Sequence, residues 1–380
     1  MLYFLLPAAS VVQRGARLLP MCALRTGFHP LCTSSLHHAP LEARLKWLIA
    51  QVQRYPGVVA VFGFASGLAS FFLVERHEAS ARIIALLMLL GWLWLVLEPV
   101  LSGVLARRFG LRLPPALLRY ATQMIHQESL FFTLPFFLAS TSWNSGQALF
   151  TGGLIVAALV VLIDPIYYQR LAPRRWLFLT FHTLTLFVVL LVALPLILHV
   201  PTGRSYELAL ALAVVLAFPS LLGSITVPRW WRGLLVVGLM LMLAGVGWLA
   251  RLWVPPATLR LTEVAIATVI DDDNRAPRNR LEEIDAAQLV ERGLYAYTAI
   301  KAPLGLQERI EHVWLHEGRE LDRIALDIRG GREEGYRAWT SKKNFPPAPG
   351  GRWQVRVLTG DGRMIGTLRF RVRETAAAAP

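Results

Sequence analysis

The chain reads as a membrane-spanning all-α bundle of seven transmembrane helices followed by a soluble all-β sandwich, and three observations predict this. Its 380 residues are 55% hydrophobic and only 17% charged, with a mean hydropathy of +0.47, too apolar for an ordinary soluble chain of this length. Seven long apolar stretches lie between residues 57 and 254. After Pro255 and Pro256 the composition changes to charged, alternating sequence.

The net charge of +14 would suit a nucleic-acid partner if it were clustered, but its distribution argues otherwise. Residues 1–256 hold 19 Lys+Arg against 7 Asp+Glu, a net of +12, and residues 257–380 hold 20 against 18, a net of +2. The excess therefore sits between apolar stretches, where membrane orientation accounts for it, and nucleic acid is excluded as the expected partner. The only cysteines are Cys22 and Cys32, so residues 257–380 cannot hold a disulfide. No CxxC, GxxxxGK[ST], GxGxxG, HExxH or GxSxG motif stands in a suitable context, so no cofactor is implied and no reaction is assigned.

Residues 1–40 are broken by Pro and Gly and read as a disordered or over-extended tail. Residues 41–55, LEARLKWLIAQVQRY, carry apolar residues at helical spacing with Arg44, Lys46 and Arg54 elsewhere on the wheel, which predicts an amphipathic helix on the cytoplasmic membrane surface. The bundle, residues 56–255, is expected to contain spans at 57–74, 83–105, 120–141, 147–168, 176–200, 205–227 and 233–254. Outside the tail, 12 Lys/Arg fall in alternate loops and only Arg76, Arg82, Arg204 and Arg251 in the others. That asymmetry predicts a cytoplasmic N-terminus and an exported C-terminus. Gly63/Gly67 and Ser66/Ser70 give the first span a close-packing face, and most tryptophans, Trp92 among them, read as interfacial anchors.

The extracytoplasmic domain, residues 257–375, reads as seven strands: LTEVAIATV, GLYAYTAIK, ERIEHVWLH, RELDRIALDI, GYRAWTSK, RWQVRVLT and RMIGTLRFRV. A weak helix is expected near 284–292, and residues 376–380 form a second tail. Seven short strands in about 120 residues predict an Ig-like β-sandwich. The acidic turn at 271–274 lacks the glycine and closing glutamate of a calcium loop and reads as solvated.

HQESLFFTLPFF, TSWNSGQALF, IDPIYY and FHTLTLF, with HVWLHEG, RAWTSKK and GRWQVRV beyond them, give the chain from residue 41 to about 374 a resemblance to an uncharacterised family of bacterial multi-pass membrane proteins with a C-terminal domain of unknown function. The resemblance implies a bacterial inner-membrane location and a periplasmic C-terminal domain, and carries no activity with it.

Chemistry is expected in two places. Counted at ~1.5 Å per residue from the cytoplasmic boundaries, Glu98, His126, Glu128, Asp164 and His182 fall in one layer roughly 6–16 Å deep, with Gln127 beside them. Four spans contribute to it, and the third, residues 120–141, is expected at the centre of the bundle. Such a layer suits a proton or cation relay or a solute path. The alternatives are an envelope scaffold or sensor in which the layer only ties helices together, and an intramembrane metal-dependent hydrolase. In the β domain, His312 and His316 on one strand with Arg337, Trp339, Lys342 and Lys343 on another are candidates for a basic and aromatic binding surface, the alternative being that the tryptophans fill the sandwich core and the charges are solvated. The expected partners are the lipid bilayer, anionic envelope components and other membrane proteins.

Overall fold

The computed structural model describes residues 65, 78–109, 114–224, 229–271 and 273–374, as a helical region followed by an all-β region. The expected tails, the surface helix at 41–55 and, apart from residue 65, the first span lie outside the described residues. The helices are α1 (Glu78–Phe109), α2 (Pro115–Ser140), α3 (Gln147–Leu162), α4 (Arg175–Leu198), α5 (Thr202–Ser224) and α6 (Arg229–Leu249).

Among the described residues three stretches are long and apolar enough to cross a membrane, Ser80–Glu98, Arg175–Leu198 and Gly233–Trp253, and α3 is a shorter apolar helix. Exposed Leu86, Leu90 and Leu93 on α1, and Leu234, Leu241 and Leu249 on α6, form apolar faces that belong with lipid rather than water. α4 is the enclosed element, 72% buried over its apolar stretch against 17% in α1 and 6% in α6. A helix apolar all round can be surrounded by apolar neighbours, whereas α2 carries a polar face that it turns on α4.

α2 opens with Pro115 in its first turn, where a missing N–H costs nothing. α3 stops at Leu162, two residues before Asp164-Pro165, and the chain continues as a π-helical turn at Ile166–Leu171. The span expected at 147–168 is therefore a helix plus a bend. That bend aims Tyr167 into the bundle.

The β region holds β1 (Arg260–Asp271), β2 (Ala276–Arg280), β3 (Glu283–Asp285), helix α7 (Ala286–Arg292), then β4 (Leu294–Lys301), β5 (Gln307–His316), β6 (Arg319–Arg329), β7 (Tyr336–Lys342), β8 (Gly351–Thr359) and β9 (Met364–Arg373). They form two sheets, ordered β2-β1-β4-β7 and β3-β9-β8-β5-β6. Ile266, Ala296 and Ile300 of the first share a core with Ile310, Trp314, Trp353, Val355 and Phe370 of the second. The seven expected strands correspond to β1 and β4–β9. β2 and β3 are additions, because APRNR and EID are too short and polar to show alternation.

Side chains join the two regions where α2–α3 and α4–α5 turn. The Thr202 N–H, at the start of α5, donates to the Glu308 carboxylate of β5 at 2.6 Å. Gln147 Nε2, at the start of α3, donates to the Met364 carbonyl at 2.8 Å. Gly203 lies against Asp361, where an added Cβ would sit 3.3 Å from the carboxylate carbon. The buried Arg363 guanidinium donates to Asp361 at 2.8 Å and lies 5.4 Å from the centre of the Tyr206 ring.

Candidate functional site: a buried tyrosine–histidine–histidine chain

At helical spacing Gln123, His126 and Gln127 share a face of α2, and all three are buried. His126, with no exposed surface, is the centre of the group. Its Nε2 lies 2.9 Å from His182 Nδ1 on α4, and its Nδ1 lies 2.9 Å from the Tyr167 hydroxyl on the π-helical turn. Three elements are thus linked by one line of hydrogen bonds.

The surroundings are aromatic. Phe181 meets the His126 ring edge-on at 5.3 Å, and Phe178 stacks on His182 at 6.2 Å. Trp92 of α1 sits 4.7 Å from the His182 ring and donates its indole N–H to Ser129 Oγ of α2 at 2.9 Å. Trp92 is 2% exposed, which corrects its expected role as an interfacial anchor. Its hydrogen bond is what lets so large a polar aromatic sit inside the bundle.

Asp164 enters the layer through Gln123, whose Nε2 donates to Asp164 Oδ1 at 2.7 Å and to the Val161 carbonyl at 3.1 Å. The second bond satisfies a carbonyl in the last turn of α3, where no intrahelical donor follows. Gln127 Nε2 is buried with no hydrogen-bond partner among the described residues. Glu98 and Glu128 are half-buried on α1 and α2. The structure therefore brings His126 and His182 into direct contact and ties Asp164 to the same face of α2. Tyr167, Trp92 and Ser129 were not anticipated. Tyr167 lies just past a proline bend, where helical phase counted from the sequence fails, and Trp92 is one of many tryptophans in apolar runs.

Chemically, the line can hold its protons in two ways. A neutral imidazole has one N–H and one lone pair, so Tyr167 can donate to His126 and His126 to His182, or both donations can run in reverse. Shifting a proton across both links toward His182 would by itself leave a tyrosinate and an imidazolium, so the reversed neutral arrangement is reached only if a proton also enters at the Tyr167 oxygen and one leaves from His182 Nε2. Among the described residues no three His, Cys, Asp or Glu side chains converge as a metal would require, which leaves the hydrolase alternative without a ligand set there.

The basic surface expected on the β domain is dispersed. His312 is wholly interior, with Nε2 3.2 Å from Thr298 Oγ1 and Nδ1 3.1 Å from Thr340 Oγ1, and burial pushes its pKa down to about 4. The two-residue period explains this, since Trp314 fills the core and His312 turns inward with it. His316 stacks on Trp353 at 4.6 Å and hydrogen-bonds the Gly350 carbonyl at 2.8 Å. Arg337 pairs with Glu334 at 2.7 Å, and Trp339 lies half-buried near Arg275. Lys342 is buried against Asp322, its pKa lowered by desolvation, and Lys343 is exposed. At the inter-region contact, burial raises the pKa of Glu308, opposed by the Thr202 N–H. The acidic turn is closed on itself, Asp271 accepting from the Asp273 N–H and from Arg278.

A family model described as a family of unknown function (DUF5924) matches residues 38–296, and another, described as a protein of unknown function (DUF2914), matches residues 307–372. The first match runs beyond the helices through β1–β3 and into β4, and the second covers β5 to β9, so the two meet inside the β region rather than at Pro256. Neither a curated protein nor a solved structure matches the chain.

Proposed function

This chain belongs to the family of unknown function DUF5924, and from that premise we propose that it is a multi-pass protein of a bacterial inner membrane whose bundle carries a proton relay. The observation that supports the relay is the Tyr167–His126–His182 line, which joins three elements and can reverse its donations when a proton enters at the Tyr167 oxygen and another leaves from His182 Nε2. In this reading the span at 57–74 precedes α1–α6, giving seven crossings. The N-terminus is cytoplasmic, and the Ig-like sandwich, residues 257–375, lies in the periplasm. The buried layer of Glu98, His126, Gln127, Glu128, Asp164 and His182 lies in the cytoplasmic half, and Glu98, Glu128 and Asp164 exchange protons with the line.

A second reading, an envelope scaffold or sensor without transport, is favoured by a different observation. Thr202–Glu308 and Gln147–Met364 fasten the β region to the helices, and His126 is completely enclosed. The two are separated by reconstituting the chain into liposomes with a trapped pH-sensitive dye. A relay gives proton flux that Tyr167→Phe and His126→Gln abolish while the variants keep the parent's thermal stability. No flux from the parent, with both variants less stable, removes the relay and leaves the scaffold. Orientation is tested separately by a reporter active only after export. Fused after Glu374 it is expected to be active, and inactivity there removes the periplasmic assignment.

A further inference from the structure

A cleft of about 330 Å³ opens between the helical and β regions, away from the tyrosine–histidine–histidine line. One wall is the loop joining α2 to α3, through Ser142 and Asn144, and the other is the outer face of the β8–β9 hairpin. The alternation of the hairpin decides what it presents. Trp353, Val355, Val357, Leu368 and Phe370 turn inward and are buried, so the residues between them face out. Gln354 is paired with Arg369 and Arg356 with Thr367, and all four line the cleft. Arg356 and Arg369 are thus diagonal neighbours, with backbones roughly 7–8 Å apart.

Some arginines of the same sheet face have carboxylates, Arg323 pairing with Glu311 and Glu320 and Arg352 with Glu317, while Arg309, Arg329 and Arg371 form no ion pair among the described residues but do not line the cleft. Among the described residues, Arg356 and Arg369 have no acidic partner. Two like charges on one concave wall repel unless an anion sits between them, and guanidinium forks match phosphate oxygens in geometry and charge. The walls are held in register by one side chain. Gln147 accepts from the Ser142 N–H at 3.0 Å and donates to the Met364 carbonyl at 2.8 Å, and Ser142 Oγ adds a 3.3 Å contact to Met364 sulfur. Asn144 and Gln354 add uncharged donors, and Met364, whose sulfur takes the Ser142 and Thr367 hydroxyls, completes the lining.

We propose that this cleft is a binding site for a phosphate-bearing anion of headgroup size. The membrane reading makes a phospholipid headgroup the natural source, because the α2–α3 loop lies where two helices leave the bundle, and a free phosphate has the same chemistry. The test uses the full chain in an uncharged detergent. It is titrated with inorganic phosphate, with a soluble short-chain phosphatidylglycerol, and with the matching phosphatidylcholine as a zwitterionic control. Saturable binding is expected that Arg356→Gln and Arg369→Gln each weaken about tenfold, as loss of one charge-assisted contact would. Asn144→Asp, on the opposite wall, weakens it without touching the sheet, and this guards against a folding defect in the arginine variants. Binding of the glycerol lipid alone assigns the headgroup, and binding of both assigns phosphate whatever carries it. Binding of neither, or binding that all three variants leave unchanged, overturns the proposal. Loss of the relay reading would not affect it, and the free-phosphate titration does not depend on the membrane reading.

Discussion

Acidification should loosen the β sandwich through one residue. His312 is enclosed between the sheets with both ring nitrogens facing threonine hydroxyls, and its pKa of about 4 lies below the ordinary 6.5 because burial penalises the imidazolium. Below the ordinary value the unfolded chain binds the proton more tightly than the folded one. The contribution to stability is therefore full above about pH 6.5 and is lost as the pH falls toward 4. Worked from those two values, acidification from pH 7 to pH 5 removes about 2 kcal/mol, and the loss levels off near 3 kcal/mol below pH 4. Hydrogen exchange of β5 and β7 in the full chain, corrected for intrinsic rates, reads this opening free energy. His312→Gln keeps a hydrogen-bonding side chain and cannot titrate, so its loss over the same interval should be smaller by that amount. Equal losses in parent and variant would refute the assignment.

Three further outcomes follow from the same geometry. Glu308→Ala removes the acceptor from the first turn of α5 and should lower stability by about 1.5–3 kcal/mol in thermal unfolding, with Glu308→Gln intermediate because its amide oxygen still accepts. Trp92→Phe should cost roughly 1–3 kcal/mol by leaving Ser129 Oγ without its donor, and His182 fluorination should report the altered ring environment by NMR. Gly335 has φ +93° and its missing Cβ would lie 2.7 Å from Thr262 Oγ1, so Gly335→Ala should destabilise the β1–β7 corner by more than about 1 kcal/mol, seen as faster exchange of β7.

Features that depend on periodicity and composition were readable from the sequence, and those that depend on a bend or on the pairing of distant faces were not. The apolar runs mark α1 to α6 and alternation marks β1 and β4 to β9, because each repeats a signal over many residues. His126 and His182 were placed in one layer by counting depth alone, which works along straight helices. Tyr167 escaped because Pro165 breaks the phase, and the π-helical turn after it sets the hydroxyl's direction. The His312 surface failed for another reason: alternation separates the two faces of β5 without saying which one meets the other sheet. The buried Trp314 is the clue, and it carries His312 into the core. Arg356 and Arg369 become neighbours only through the register of β8 and β9, which no local pattern states.

The contact between Glu308 and Thr202 also orders the life of the chain. Thr202 leaves the ribosome long before Glu308, and Gln147 long before Met364. Until β5 and β9 are made and folded, α5 begins with an unanswered N–H and the start of α3 lacks its acceptor. A nascent chain arrested before residue 307 would hold nearly all its helices and still be unfinished at their ends. The part synthesised last thus closes the ends of α3 and α5, which are made well before it.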